Sequence, residues 1–592
     1  MLLGRRLAFA LCVVTSALLL LAVLAMAGHP VDGSLGPIRL RVRDFARPLA
    51  AAGVLQVLAT ALAWRSGAYR RATLVLGVGV AVALLGGFAR QAPEYAASGD
   101  LAVIESYTIH ALNGQALLGP YSRFQWNHPG PMYFLLLAPF YVLSEYRAVA
   151  LAVGAMAINM GALAIMVWTA ARLGRPTFAL IATGLSVVYV ARVGDSLTSA
   201  WNPHVLGLPL MALVVTCAAL VTAGTHWLPA VAVVATYLVQ THVGLAPVVL
   251  SLCAVSFGAA AWVARRSTLP DERVRFDRAV RRTAWLLLLL WLLPLAEQLS
   301  GSPGNLTRLV RFFRTDPLPN QAFADAFSAW ADLTTAFLRQ DFKVAYGGAV
   351  FQPSAVWWSR PAAMLQVALV AWAALSAARN GHRFHVALGL LLLIASAASV
   401  WSISRVKGPL YDHVVFWVTG LGVLNTAAAV DALLFARRQP STSTGRRAVG
   451  VGCAALLLLA AFPAGEQLAR QRRYAARPSG DDVTVQRLWA ALQDYRASRD
   501  IGKPLIRIEH PKWGVAAGVI VQLQKAGVSF AVEPTWLPMF SSAVRPTGDE
   551  TTVLAFAREP LAQELLTDSG YDQVGASDGV VLLSGPTCAG RR

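Results

Sequence analysis

The sequence predicts a polytopic α-helical membrane protein of about 13 transmembrane helices with a small extracytoplasmic α/β domain at its C-terminus. Three observations predict this. Of 592 residues, 56% are apolar and only 14% charged, against roughly 25% charged in soluble domains, and the mean hydropathy is +0.53. Apolar runs recur along the chain, at residues 11–26, 72–85 and 284–295 among others. Such runs approach the ~20 residues that span a bilayer. Beyond about residue 464 the charges return and the apolar stretches shorten to strand length. A soluble enzyme, a fibre and a disordered chain are excluded.

The first helix, about 8–27, follows Arg5 and Arg6 and is too long an apolar core for a cleaved signal, so it reads as an uncleaved anchor. Cytoplasmic loops collect Arg and Lys, which sets the direction of each later crossing. Helices at about 47–64 and 71–88 flank the inside cluster Arg65, Arg70 and Arg71. The basic loop 265–282 is cytoplasmic, so helix 283–299 delivers residues 300–355 to the outer face. Helix 360–378 returns to Arg379 and Arg383, and helix 385–401 emerges at residues 404–413. Helix 414–436 enters toward Arg437, Arg438, Arg446 and Arg447, and helix 447–463 leaves the remainder outside. Three apolar stretches lie between residues 131 and 191 (131–144, 148–170 and 177–191). Orientation allows two crossings there, so one stretch dips without crossing. Residues 38–47 sit outside yet carry four arginines. Their alternation admits a short strand or an interfacial segment, and a surface-tethered loop is the preferred reading.

Three regions result: additional helices over 1–70, a transmembrane core over 71–463 with outer loops 89–130 and 300–355, and an outer domain over 464–592. In the last, helices are expected at 483–498, 515–525 and 561–567, with strands at 504–508, 528–532, 552–557 and 579–583. It has no Gly-rich phosphate loop, and its His510 joins no recognisable catalytic set, which favours a structural or acceptor-docking role. The net charge of +20 is mostly Arg in the cytoplasmic loops, and no nucleic-acid partner is expected. Five cysteines (Cys12, Cys217, Cys253, Cys453 and Cys588) show no metal-ligand spacing.

Ionisable residues avoid the middles of the helices, where an ion pathway would need them. They gather in five outer clusters. The first is Glu94, Asp100, Glu105, His110, Arg123, Trp126, Asn127 and His128, closing in the segment YSRFQWNHPGPMYF. The others are Asp195 with Trp201, Asn202 and His204; Gln240, Thr241 and His242; Glu297 and Gln298 with Asn305, Arg308, Arg311 and Arg314; and Arg405, Lys407, Tyr411, Asp412 and His413. All five fall on one face by the topology above.

Gly99-Asp100 in the first outer loop, the Asn127-His128-Pro129 opening of the next helix, and the phrases SAWNPH, VQTHVG and EQLSGSPGN resemble the GT-C type of integral membrane glycosyltransferase. The nearest comparison is the group of protein O-mannosyltransferases and the lipid A aminoarabinose transferase, of which this chain looks like an uncharacterised bacterial branch over about residues 70–465. The resemblance implies a multi-pass protein of the bacterial cytoplasmic (inner) membrane. It would move a sugar from a polyprenyl-phosphate donor to a lipid, polysaccharide or protein acceptor on the outer face, with inversion. Asp100 takes the place of the family's acidic residue, as general base. Departing phosphate needs fixed positive charge, for which Arg405 and Lys407 come first and Arg308 and Arg311 second. Substrate contacts are expected from Glu105, Arg123, Trp126, Asn127, His128, Asp195, Asn202, His204, His242 and Tyr411. No cofactor is required by any motif, and a divalent metal at His128 stays open. Leu101 follows Asp100 where relatives often carry a second acid, and Asn127-His128 replaces an acid with a basic or histidine residue.

Plainer roles compete. Asp100 has the position of a helix cap; His128 that of a hydrogen-bonding helix-start residue. Trp126 and Trp201 suit an interfacial belt, and Arg308, Arg311 and Arg314 suit lipid headgroups. The alternative functions are a flippase or exporter of lipid-linked saccharide, and a non-catalytic envelope protein.

Overall fold

The computed structural model describes residues 2–35, 38–66, 68–173, 175–268, 270–342, 349–435, 443–568 and 570–586; Arg437, Arg438 and Cys588 lie outside them. Among the described residues twelve spans are long and apolar enough to cross a membrane, from Gly4–Met26 to Val449–Ala476. Span Asn202–Ala223 is buried along nearly its whole length. A helix that is apolar all round belongs in the middle of a bundle, and this one sits behind the candidate site. Peripheral helices turn residues such as Val57, Leu289 and Phe462 outward, where lipid is the solvent.

The stretch that dips is helix Met132–Leu143. Its 12 residues rise only ~18 Å, short of the ~30 Å hydrocarbon core. Just past its end Glu145 pairs with Arg90, and Arg147 donates to the Ala92 carbonyl at 2.8 Å. Both partners lie at the end of helix Arg70–Arg90, so the short helix begins and finishes on the face that bears the C-terminal domain. Helix Leu228–Thr241 is also short, with 14 residues, yet it does join the two faces. It starts beside Trp227, whose ring meets Trp168 at 5.5 Å one turn from Arg172, and ends at His242 in the opposite face's cavity. With it the described chain makes thirteen passages.

Four short strands lie in the segments that link the bundle's helices. β1 (Val31–Leu35) and β2 (Ile38–Val42) form an antiparallel hairpin, with Asp32 and Arg41 3.5 Å apart. The alternating Arg pattern therefore makes a strand rather than the preferred loop. β3 (Tyr121–Ser122) pairs antiparallel with β4 (Trp126–Asn127). Helix Ser443–Ala476 runs 34 residues, well beyond residue 463, and carries the chain from the bundle to the last domain.

That domain is a five-stranded sheet in the order β6-β5-β7-β9-β8, with β5 at Pro504–Ile508, β6 at Ala531–Val532, β7 at Thr552–Ala557, β8 at Asp572–Ser577 and β9 at Val580–Pro586. β5 runs parallel to β6 and β7, and β9 antiparallel to β7 and β8. The edge strand β8 (DQVGAS) escapes detection in the sequence because it is polar and half exposed. Its hairpin turn is nonetheless marked by Asp578-Gly579, both at positive φ, as a two-residue turn of this kind requires.

Helix Trp513–Lys525 clamps the domain to helix Gly99–Leu112. A Cβ on Gly518 would come within 2.6 Å of the Ala97 carbonyl oxygen, so only glycine permits the approach. Lys525 Nζ lies 2.7 Å from Glu105 Oε1, and Glu105 also accepts the Tyr141 hydroxyl at 2.6 Å. Glu105 is completely buried. Its expected substrate contact is thereby corrected: the carboxylate is an internal clamp, spent on Lys525 and Tyr141. Gln524 meets His110 at 3.1 Å, and Asp482 accepts from both the Ser98 amide (2.8 Å) and hydroxyl (2.6 Å).

Removing one member of a buried ion pair strands the other and costs about 3–5 kcal/mol. Lys525→Met is expected to lower the melting temperature and expose the segment after Ala476 to protease, while Glu105→Gln with Lys525→Met recovers most of the loss. Equal melting temperatures for wild type and Lys525→Met would refute the clamp.

Candidate active site

Asp100 sits in the first turn of helix Gly99–Leu112 but makes no side-chain cap. Asp482 secures Ser98 instead, and the Asp100 carboxylate accepts a hydrogen bond from the Tyr121 hydroxyl at 2.6 Å. Tyr121 is fixed by β3, opposite Asn127 on β4. Asn127 does not reach the cavity. Its amide N–H donates to Asn305 Oδ1 (2.8 Å), its Nδ2 donates to Tyr107 and to the Gly119 carbonyl, and Asn305 Nδ2 returns a bond to its carbonyl (2.8 Å). The expected substrate contact is corrected to a buried knot between the β4 segment and helix Asn305–Thr315. That helix is itself capped from below: Glu297 accepts the Asn305 amide and Gln298 the Leu306 amide, each at 2.9 Å. Gly130 lets the loop lie against helix Leu228–Thr241, since a Cβ there would meet the Gln240 side chain at 2.4 Å. Gln240 in turn accepts the Met132 amide at 3.2 Å and donates to the Leu290 carbonyl at 2.8 Å.

The facing wall is the segment after helix Arg383–Ser404. Gly408 has φ +70°, which turns the chain back. Neighbouring backbone fixes the turn: Gly408 N–H donates to the Pro319 carbonyl at 2.9 Å, Lys407 bridges to Asn320, and Tyr411 bridges to Val350. Lys407 is buried and spends one donor on the Asp316 carbonyl at 2.5 Å. Arg405 is exposed at the edge of this wall.

Between the walls lies a cavity of about 730 Å³. Asp100, Arg123, Trp126, His128, Asn202, His242, Arg405, Lys407 and Tyr411 all line it, drawn from five separate parts of the chain. Arg123 lays its guanidinium over the Tyr411 ring at 4.2 Å. Asn202 donates to the Thr241 carbonyl at 3.2 Å. Trp126 packs at 5.7 Å from Phe312, which also meets Phe124 at 4.5 Å.

Four other expected residues stand elsewhere. His204 is buried behind the wall, with its ring 5.3 Å from Trp201 and 5.2 Å from Phe416. Asp195 is exposed and 3.9 Å from Arg470. Arg308 turns back to the Pro303 carbonyl and lies 3.9 Å from Glu297, and Arg311 is exposed outside the cavity. The last two differ in place along the helix as well as in direction. Leu309 and Phe312 face the cavity and Arg314 reaches its edge from the last turn of helix Asn305–Thr315, whereas Arg308 is tied back at the first turn and Arg311 faces away from Leu309 and Phe312. Arg314, Tyr121 and Trp513 are among the lining residues that sequence reasoning did not assign to a substrate. Arg314 and Tyr121 stand in segments singled out on other grounds, and nothing local marks Trp513.

Burial pushes the Asp100 carboxyl above its ordinary range, and the Tyr121 hydroxyl pulls it partly back. Tyr121 itself is pushed up by burial and then by Asp100, so it keeps the proton it donates. Burial, with His242 alongside, holds His128 well below 6.5. His128 is therefore neutral and accepts the Val243 amide through Nδ1 at 3.1 Å, leaving Nε2 as its donor. His242 Nδ1 likewise accepts the Gly244 amide at 3.2 Å. The two rings lie 4.7 Å apart. Among the described residues no group of three His, Cys, Asp or Glu side chains converges as a metal site would need; the donor set at His128 does not fit one.

No protein-family model matches the chain, and no curated protein sequence does. Among solved structures it is similar to ArnT from Cupriavidus metallidurans bound to undecaprenyl phosphate, with a TM-score of 0.47 and 13% identity over 85% of this chain and 97% of that one. The apo form of the same protein gives a TM-score of 0.43 and 14% identity over 87% and 98% of the two chains. No residue role transfers to this chain from so loose a superposition.

Asn305→Ala removes both bonds that hold the Asn127 backbone. With buried partners left unsatisfied, a loss of about 2 kcal/mol is expected, read by thermal unfolding. A variant as stable as wild type would show the knot to be incidental.

Proposed function

We propose that the chain is a GT-C-type membrane glycosyltransferase. It moves a sugar from a polyprenyl-phosphate donor to an acceptor hydroxyl at the outer face of the bacterial cytoplasmic membrane, where the C-terminal domain also stands. One observation carries this reading: a single cavity at the membrane boundary has a carboxylate on one wall and arginines on the other. The acceptor hydroxyl gives its proton to Asp100 as its oxygen bonds to the anomeric carbon. The bond from that carbon to the phosphate oxygen breaks, and the electron pair leaves with the polyprenyl phosphate. A lone base with phosphate as leaving group suits one inverting displacement; the carboxylate pair of glycoside hydrolysis is not needed.

Arg405 and Arg314 receive the phosphate, because among the described residues neither guanidinium hydrogen-bonds to protein. Lys407 adds charge from a fixed position. Preset donors of this kind gain strength in a poorly hydrated site. Tyr121 holds one Asp100 oxygen and leaves the other for the acceptor, while Arg123, Trp126, Asn202, Tyr411 and the neutral imidazoles of His128 and His242 surround the sugar. The apolar span Asn202–Ala223 closes the floor, which supports transfer over passage of a saccharide through the bundle.

The test is turnover of undecaprenyl-phosphoryl arabinose, mannose and glucose by full-length protein in nanodiscs. Asp100→Asn is expected to lower kcat by about 10²–10⁴-fold; wild-type kcat in that variant would remove Asp100 as the base. Arg405→Ala is expected to raise the donor KM by about tenfold or more, and an unchanged donor KM would take the phosphate away from Arg405. Activity needs ionised Asp100, so it falls as pH drops through a pKa above the ordinary carboxylate range. Tyr121→Phe removes a bond that favours the carboxylate, so the acid limb of the pH profile should move to higher pH. A limb that stays in place or moves lower would contradict the role given to Tyr121.

A further inference from the structure

Trp513 opens helix Trp513–Lys525 and lines the cavity, although it belongs to the C-terminal domain. Its ring stands 6.4 Å from Tyr121, nearly edge to face, and Tyr121 holds Asp100. A Cβ on the adjacent Gly514 would lie 3.4 Å from the Gly99 Cα. The starts of the two helices therefore meet at the proposed base.

The sheet topology gives this contact a second meaning. From β5 the chain goes first to β6 on one side and later to β7 on the other. The switch point, where open α/β sheets bind ligands, therefore lies between the carboxyl ends of β5 and β7, where Glu509 pairs with Arg558, and the aromatic side chains stand at the neighbouring ends of β5 and β6. Here the segment leaving β5 supplies His510 and Trp513, and the segment leaving β6 supplies Trp536. His510 and Trp536 stack with their rings 5.9 Å apart and 36° from parallel. The next helix, Leu537–Phe540, takes a hydrogen bond from the Tyr107 hydroxyl to the Pro538 carbonyl at 3.3 Å. Tyr107 also lines the cavity.

We propose that the side of the cavity formed by Trp513 is the acceptor subsite and that the acceptor is a water-borne saccharide whose ring stacks on Trp513. The inference rests on the glycosyltransferase reading. An acceptor hydroxyl has to reach Asp100, and Trp513 and Tyr121 flank that carboxylate. Trp513 is carried by the C-terminal domain and not by a membrane-spanning helix, so an acceptor stacked on it is reached from water. Indole faces cover the C–H face of a sugar ring, while its hydroxyls stay free for the base.

The experiment is saturation-transfer-difference NMR on full-length protein in nanodiscs. The probes are maltotetraose, cellotetraose and mannotetraose, with undecaprenyl phosphate titrated in parallel. Wild type is expected to transfer saturation to at least one tetrasaccharide. Trp513→Ala should weaken that binding by about fivefold or more, and Trp513→Phe should restore most of it. No saccharide signal from a wild type that binds undecaprenyl phosphate overturns the inference and leaves the transferase reading standing, with a lipid or protein acceptor in its place. Equal saccharide binding by wild type and Trp513→Ala also overturns it. Saccharide binding that depends on Trp513, with no undecaprenyl phosphate binding by wild type, supports the subsite and sinks the donor reading alone.

Discussion

One helix, Gly99–Leu112, bears on everything else. On one side it packs into the membrane bundle, where Glu105 meets Tyr141; on the other it carries the C-terminal domain through Lys525, Gln524 and Asp482. A fully buried carboxylate is stable only with its partners in place. The Glu105 clamp therefore ties the helix's position to the docking of the domain. Asp100 is five residues earlier on the same helix, so its placement follows from that docking as well.

The cavity separates charge by construction. Its single lining carboxylate is on the wall nearest the domain, while Arg405, Lys407 and Arg314 stand on the facing side and Arg123 beside Tyr411. The imidazoles between them are turned to backbone amides, His128 to Val243 and His242 to Gly244. A neutral middle keeps the carboxylate and the cations from quenching one another, and the aromatic lining from Trp126 and Phe312 keeps water low. Each remaining charge then acts more strongly on whatever enters.

Much of the site was legible because membrane proteins spend polar residues sparingly. Asp100, Arg405, Lys407, His128 and His242 stand out against apolar surroundings, and the rule that basic loops stay inside gathers them onto one face. The same thrift misled the reading of Glu105 and Asn127. A polar residue in an outer loop also has structural uses, and only the contacts separate a clamp or a helix cap from a ligand. Arg308, Arg311 and Arg314 have one composition and three fates: the first is tied to Pro303 and Glu297, the second is exposed outside the cavity, and the third reaches it from the end of the helix. The short helix Met132–Leu143 could be suspected from parity, but its return to the same face is written in the Arg90–Glu145 contact.

By itself the sequence determined a multi-pass helical bundle, an α/β domain at its end, and the polar segments between helices that the cavity draws on. These follow from hydropathy, charge asymmetry and strand-length patterning, all of which act locally along the chain. The tertiary structure alone decided that Tyr121 holds Asp100, that Arg314 replaces Arg308 and Arg311 at the cavity, and that Trp513 comes from a domain some four hundred residues away. Those are contacts between segments with no shared local pattern, and packing creates them only after each segment has taken its own shape.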